Sequence, residues 1–135
     1  SEGEGFLTEI RAGEHGITSD EPKDVGGNNA GPTPYELVLS GLGACTAMTI
    51  RMYADRKEWD LGAVEVHLSI DKRHEKDCED FEGEKSKIEV ITRKIKIETQ
   101  LDQEQKNKIL EIANKCPVHK TLTTSPEITT ELVDK

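Results

Sequence analysis

Three observations predict an α+β fold for this chain. Apolar and polar residues alternate over residues 64–71 and again within residues 88–97, the period of half-buried strands. A capping signal at Thr33 opens a long stretch of helical character that is apolar nearly all round. A second helix signal begins at Asp102. At 135 residues the sequence is one domain's worth, read as a single domain over residues 1–135. Only 33% of residues are in the apolar set and 33% are charged, so the core is lean and part of the burial is expected from a partner subunit.

From the N-terminus, Phe6 to Arg11 alternates weakly, residues 12–16 read as a turn, and residues 17–20 as the returning strand. Pro22, Gly26, Gly27 and Gly31 make residues 21–31 a loop. Thr33 then supplies an N-cap, Pro34 suits the first helical position, and Glu36 completes a capping box. The helix through Ala54 is expected to be buried on most sides. Gly41 and Gly43 cost it roughly 1 kcal/mol each in propensity, which close approach of another backbone would explain. Arg51, Arg56 and Lys57 suit the negative end of the helix dipole.

Val64, Val66, Leu68 and Ile70 form a strand with one wet face. Ile88 and Val90 start another, and Ile95 and Ile97 continue it in the opposite phase, which a bulge near residues 91–94 would reconcile. The mixed charges of residues 73–87 read as a solvated loop. Asp102 caps a helix with Gln105 at the box position and a buried stripe of Ile109, Leu110, Ile112 and Ala113. Cys116-Pro117 ends that helix and starts a short turn of another, and Ile128, Thr130 and Leu132 suggest a last strand.

Composition excludes several function classes. A net charge of −9 argues against a nucleic-acid partner, which needs clustered Lys and Arg. No apolar run approaches the ~20 residues of a membrane span, and no signal peptide is visible. Three cysteines without framework spacing argue against a disulfide-stapled secreted fold and for a reducing cytoplasm. Gly26-Gly27 and Gly41-Leu42-Gly43 lack the strand-turn-helix context of a nucleotide fingerprint. His74, Cys78, Cys116 and His119 lack the tight paired spacing of a structural zinc site.

The chemistry-bearing candidates are two cysteines. Cys45 shares a helix face with Gly41, Met48 and Met52, and reads either as a packed core thiol or as a reactive one in an apolar wall. Cys116 precedes Pro117 near an N-cap, where a helix start favours thiolate, and His119 and Lys120 are close in sequence. Cys78, flanked by Asp77, Glu79 and Asp80, reads as a loop residue whose neighbours disfavour a thiolate.

The segment Gly31-Pro32-Thr33-Pro34-Tyr35-Glu36-Leu37, running on through Gly43-Ala44-Cys45-Thr46-Ala47-Met48-Thr49, resembles the OsmC/Ohr family. Cys116-Pro117-Val118-His119-Lys120-Thr121-Leu122 resembles it too. The resemblance covers nearly the whole chain and is to the general OsmC-like branch. It implies an intertwined homodimer with buried central helices and curved antiparallel sheets, and a site at the subunit interface. It also implies thiol peroxidase chemistry without metal, haem, flavin or other cofactor. By match, Cys45 is the peroxidatic thiol and Cys116 the resolving one. The family's supporting Glu falls on Tyr35, with Glu36 one residue later. Its supporting Arg falls near Ala12, with Arg11 adjacent and His15 as another candidate.

The expected function is therefore reduction of small hydrophobic peroxides, with an external dithiol as reductant. Two other classes compete. A ligand-binding or redox-sensing protein would keep the cysteines without turnover, and a cysteine hydrolase would activate Cys116 with His119.

Overall fold

The computed structural model of the protein describes residues 5–79 and 85–134, leaving aside the side chains of 72–79 and 85–88. The expectation for Cys78, and the side chain of His74, fall outside that description. The chain gathers into two compact units, residues 1–41 and 42–135.

In the first unit, β1 (Thr8–Ala12) and β2 (His15–Ser19) pair antiparallel, with Ile10 opposite Ile17 and Arg11 opposite Gly16. The turn is tighter than the sequence suggested. Gly13 holds φ +64° in a two-residue loop, a conformation glycine adopts without steric cost. The loop that follows is organised by Asp20, a buried carboxylate. It accepts the backbone N–H groups of Glu21 at 2.8 Å, Asn28 at 3.1 Å and Ala30 at 3.2 Å. Burial opposes its ionisation, but these three donors outweigh burial and hold its pKa below the usual carboxylate range. The backbone folds back so closely that a Cβ at Gly27 would meet the Glu21 carbonyl, and one at Gly31 the Thr18 carbonyl. This loop delivers the chain to the capping box. Thr33 Oγ1 accepts from Glu36 N–H at 3.1 Å, and Glu36 Oε1 accepts from Thr33 N–H at 2.9 Å.

Helix α1 (Pro34–Lys57) continues into the second unit. By length and composition it could cross a membrane, which corrects the expectation that no apolar run approaches a span. Its burial within one chain is one-sided. Leu42, Thr46, Ile50, Tyr53 and Ala54 are buried, whereas Met48 and Met52 are 64% and 66% exposed. The expectation of burial on most sides is thus unmet within the single chain, because no described residue covers the second face. Gly43 is where Leu68 approaches: a Cβ there would lie 2.8 Å from Leu68 Cδ1, so a side chain and not a backbone claims the space. Gly41 faces open space. Arg51 donates to the Gly62 carbonyl at 2.6 Å, tying the helix to the start of the next strand.

β3 (Val64–Glu79) and β4 (Lys85–Ile97) form one long antiparallel pair. Residues 73–79 and 85–87, expected in a loop, are strand. The expected bulge at residues 91–94 is absent; pairing is continuous from Val64↔Ile97 to His74↔Lys87, and the shift lies between His74 and Glu79. The in-phase row is Ile91, Arg93, Ile95 and Ile97, facing Ile70, Leu68, Val66 and Val64. Of these, Val64, Ile95 and Ile97 pack with α1 and α2 (Gln103–Ala113) around Ile50, Ala54, Leu61, Ile109 and Ala113. The Asp102–Gln105 capping box is present. Leu110, expected in the buried stripe, is 58% exposed because the turn geometry rotates it away from Ile109 and Ala113. α3 (Pro117–Thr123) follows, and residues 125–134 form no strand. Their alternating residues Ile128 and Leu132 are exposed, since a strand needs a neighbour to pair with and no described strand pairs with them.

Ile50→Ala should lower unfolding free energy by ~2–5 kcal/mol, because a fully buried side chain leaves a cavity. Leu110→Ala should change it by no more than about 0.5 kcal/mol. Denaturant titrations of the two variants make the comparison.

Candidate active site

Three elements of the second unit converge on one sulfur. Cys116 is the N-cap of α3, and its Sγ accepts the His119 backbone N–H at 3.3 Å. Pro117 at the first helical position lacks an N–H and has a fixed φ suited to the turn, so the thiol can take the capping role. The sulfur is fully buried. α1 supplies two more groups: the Cys45 thiol donates to Cys116, and Thr46 Oγ1 lies 3.9 Å from its Sγ. Cys45 is only partly buried, and its sulfur lies 4.0 Å from Thr49 Oγ1. Both cysteines are free thiols.

Burial pushes the Cys116 thiol up. The His119 N–H, the Cys45 thiol, the Thr46 hydroxyl and the Val118 N–H act against burial, and together they bring it below the ordinary thiol value of 9.0. Of the two neighbouring sulfurs, Cys116 is the buried one with a lowered pKa and Cys45 the more approachable.

β4 contributes a residue the sequence reading missed. Arg93 donates from Nη1 to Thr46 Oγ1 at 3.0 Å and from Nη2 to Asn114 Oδ1 at 2.8 Å. The same Nη2 lies 3.0 Å from His119 Nδ1. A guanidinium has only donors, so Nδ1 accepts. The imidazole is therefore turned to Arg93 and not to the Cys116 sulfur, which takes the backbone of His119 instead. Arg93 was detectable in principle: it occupies the apolar phase of its strand, between Ile91 and Ile95, where a charge needs partners. An open cleft of about 420 Å³ shares Arg93 and His119 with this network and is walled by Leu42, Ile91 and Leu122.

The structure brings Cys45 and Cys116 together. Glu36 and Arg11 belong to the first unit. The Glu36 carboxylate is engaged in the capping box at the start of α1, and Arg11 is exposed on β1 beside a shallow cleft that also includes Glu9 and Glu14. His15, opposite Ala12, is exposed as well. Of the apolar residues expected around Cys45, Leu42 is buried, while Met48 and Met52 face outward. Among the described residues, no cluster of three or more His, Cys, Asp and Glu side chains could hold a metal.

Comparison with known proteins adds to this geometry. The family model described as OsmC-like protein matches residues 26–131. Several solved structures share the fold. An OsmC-like protein from Mycoplasma pneumoniae superposes with a TM-score of 0.60 at 20% identity, covering 93% of this chain and 91% of that one. An organic hydroperoxide resistance protein from Legionella pneumophila gives 0.58 at 21%, covering 87% and 90%. The organic hydroperoxide resistance protein OhrB of Bacillus subtilis gives 0.56 at 17%, covering 88% and 90%. Among curated proteins, no sequence matches the chain at a significant level.

Cys45→Ala removes a donor from the Cys116 sulfur and should raise its pKa. Because the folded-state value is depressed, ionisation of Cys116 adds stability above pH 9.0, and that contribution is lost as pH falls through the lower folded value. Thiolate ultraviolet absorbance followed against pH should show the transition moving up in the variant.

Proposed function

The chain belongs to the OsmC-like protein family, and from that premise we propose that it is a thiol-dependent peroxidase reducing organic hydroperoxides. The observation that carries this reading is the Cys45–Cys116 contact: a partly exposed thiol hydrogen-bonded to a buried sulfur of lowered pKa.

The roles follow from access and proton placement. A peroxide arriving from solvent meets Cys45 first. Its proton passes along the hydrogen bond to Cys116, and the Cys45 thiolate attacks one peroxide oxygen. The O–O bond breaks, the alkoxide takes the proton from Cys116 and leaves as the alcohol, and Cys45 becomes a sulfenic acid. The Cys116 thiolate then attacks the sulfenic sulfur, forming the disulfide and expelling hydroxide, which a buffer acid of the medium neutralises to water. An external dithiol restores both thiols by exchange, itself becoming a disulfide. Arg11 and Glu36 remain proposed supports for the Cys45 thiolate, resting on the family match. The imidazole of His119 faces Arg93, which disfavours a Cys116–His119 hydrolase.

A second copy of the chain is proposed to complete the site. Val38, Met48 and Met52 leave the outer face of α1 apolar and exposed, and Ile128, Leu132 and Val133 expose the tail. Faces of this kind need a partner.

One equivalent of cumene hydroperoxide should consume both thiols and leave a Cys45–Cys116 disulfide, located by peptide mapping. Cys45→Ser should abolish the reaction, whereas Cys116→Ser should react once and stop at oxidised Cys45. Equal loss of the first turnover in both variants refutes the assignment. Separately, sedimentation at micromolar concentration should give a dimer, and Met48→Glu with Met52→Glu should shift it toward monomer. A folded monomer of the unaltered chain would overturn the partner proposal.

A further inference from the structure

The polar cluster on the inward side of β4 is not accounted for by the two cysteines alone. Arg93 lies in a row of apolar residues and makes three contacts at once, to Thr46 on α1, Asn114 after α2 and His119 on α3. Two of these partners also serve the Cys116 sulfur, Thr46 through its hydroxyl and His119 through its backbone N–H. We propose that Arg93 is a positioning residue that locks the donor set around Cys116 by clamping α1 and α3 to one guanidinium.

The hydrogen-bond inventory gives this clamp a direction. Arg93 fills one acceptor site of Thr46 Oγ1, so the single hydroxyl proton is left to two acceptors. These are the Leu42 carbonyl at 2.7 Å and the Cys116 sulfur at 3.9 Å. With a neutral thiol the carbonyl holds the proton. With a thiolate the sulfur competes for it, since hydrogen bonds to charged acceptors are the stronger ones. Without Arg93 the hydroxyl loses its fixed donor and can turn away from both. The clamp on His119 works through geometry: holding the ring holds the first turn of α3, hence the N–H that reaches the sulfur. The titratable or charged groups around the pair, among the described residues, are Cys45 on α1, Arg93 and Glu89 on β4, and His119 on α3. Lys115, next to Cys116 in sequence, is exposed and paired with Glu111. A Lys at position 93 would carry the charge but could not bond three partners in one plane.

This inference rests on the dithiol reading for its catalytic consequence, but its first test needs no peroxide. Arg93→Met and Arg93→Lys are compared with the unaltered protein by thiolate absorbance against pH, with thermal melting as the control for folding. Both variants should shift the thiolate transition upward, the Met variant further. The rate of Cys45 oxidation by cumene hydroperoxide should fall roughly ten- to a hundredfold in the Met variant. Thr46→Val should produce part of the same shift, and adding Arg93→Met to it should produce less than the sum, as for residues acting through one another. Unchanged titrations in folded Arg93 variants, or full additivity with Thr46→Val, overturn the clamp. Should the Met variant fail to fold, the Lys variant and the Thr46 cycle with Lys carry the same decision. A shifted titration in a protein inert to peroxides would sink the peroxidase reading and leave the clamp standing.

Discussion

Cys116 Sγ is fully buried, and an ionisable sulfur removed from water is tolerated as an anion only where donors replace the lost solvent. That requirement organises the second unit. It sets the break between α2 and α3, because the donor from His119 exists only when Cys116 caps a new helix and the chain does not continue the old one. It places a hydroxyl, that of Thr46, in the fully buried row of α1. It also brings a guanidinium into an apolar strand row, because the donors themselves have to be held. Residues of α1 and α3 are thus committed to one atom, and Arg93 of β4 to two of its donors.

How much of this could be read from the sequence depended on how local each signal was. Both capping boxes, at Thr33 and Asp102, are contained within four residues and were legible. So was the Cys116-Pro117 helix start, whose chemistry is a property of adjacent residues. The cysteines were singled out from their different surroundings and from family likeness, but their contact joins two distant segments of the sequence and only the fold makes it. Arg93 was hidden by a phase error. Taking Ile88 and Val90 as the start of the inward row forced a bulge at residues 91–94; with continuous register, Ile91, Arg93, Ile95 and Ile97 fall together and the arginine stands out. The length of β3 and β4 was missed because a run of mixed charges looks like a solvated loop, while a long two-stranded ribbon can carry charges along its backbone pairing.

The misjudged faces have a common physical cause. Periodicity reports which side of an element is apolar, not which molecule covers it. The α1 row Leu42, Thr46, Ile50, Tyr53 and Ala54 is covered by the described residues of the chain, and the Met48–Met52 side is not. The same holds for the tail, where Ile128 and Leu132 alternate like a strand without a strand to meet. A lean composition, with as many charged residues as apolar ones, is what a chain shows when part of its apolar surface is committed elsewhere.

Cys45 lies where these two faces join. Successive helical residues are rotated by about 100°, so Cys45 is one step round from Thr46, on the edge of the Met48–Met52 side that borders the covered row. From that edge it reaches inward to Cys116 while remaining only partly buried. That position gives the sulfur both a partner and access to solvent. It also means that whatever covers the Met48–Met52 face would form the outer wall beside this sulfur. A second copy lying there would turn an edge into an enclosed pocket, so assembly and reactivity would be coupled through a single turn of α1.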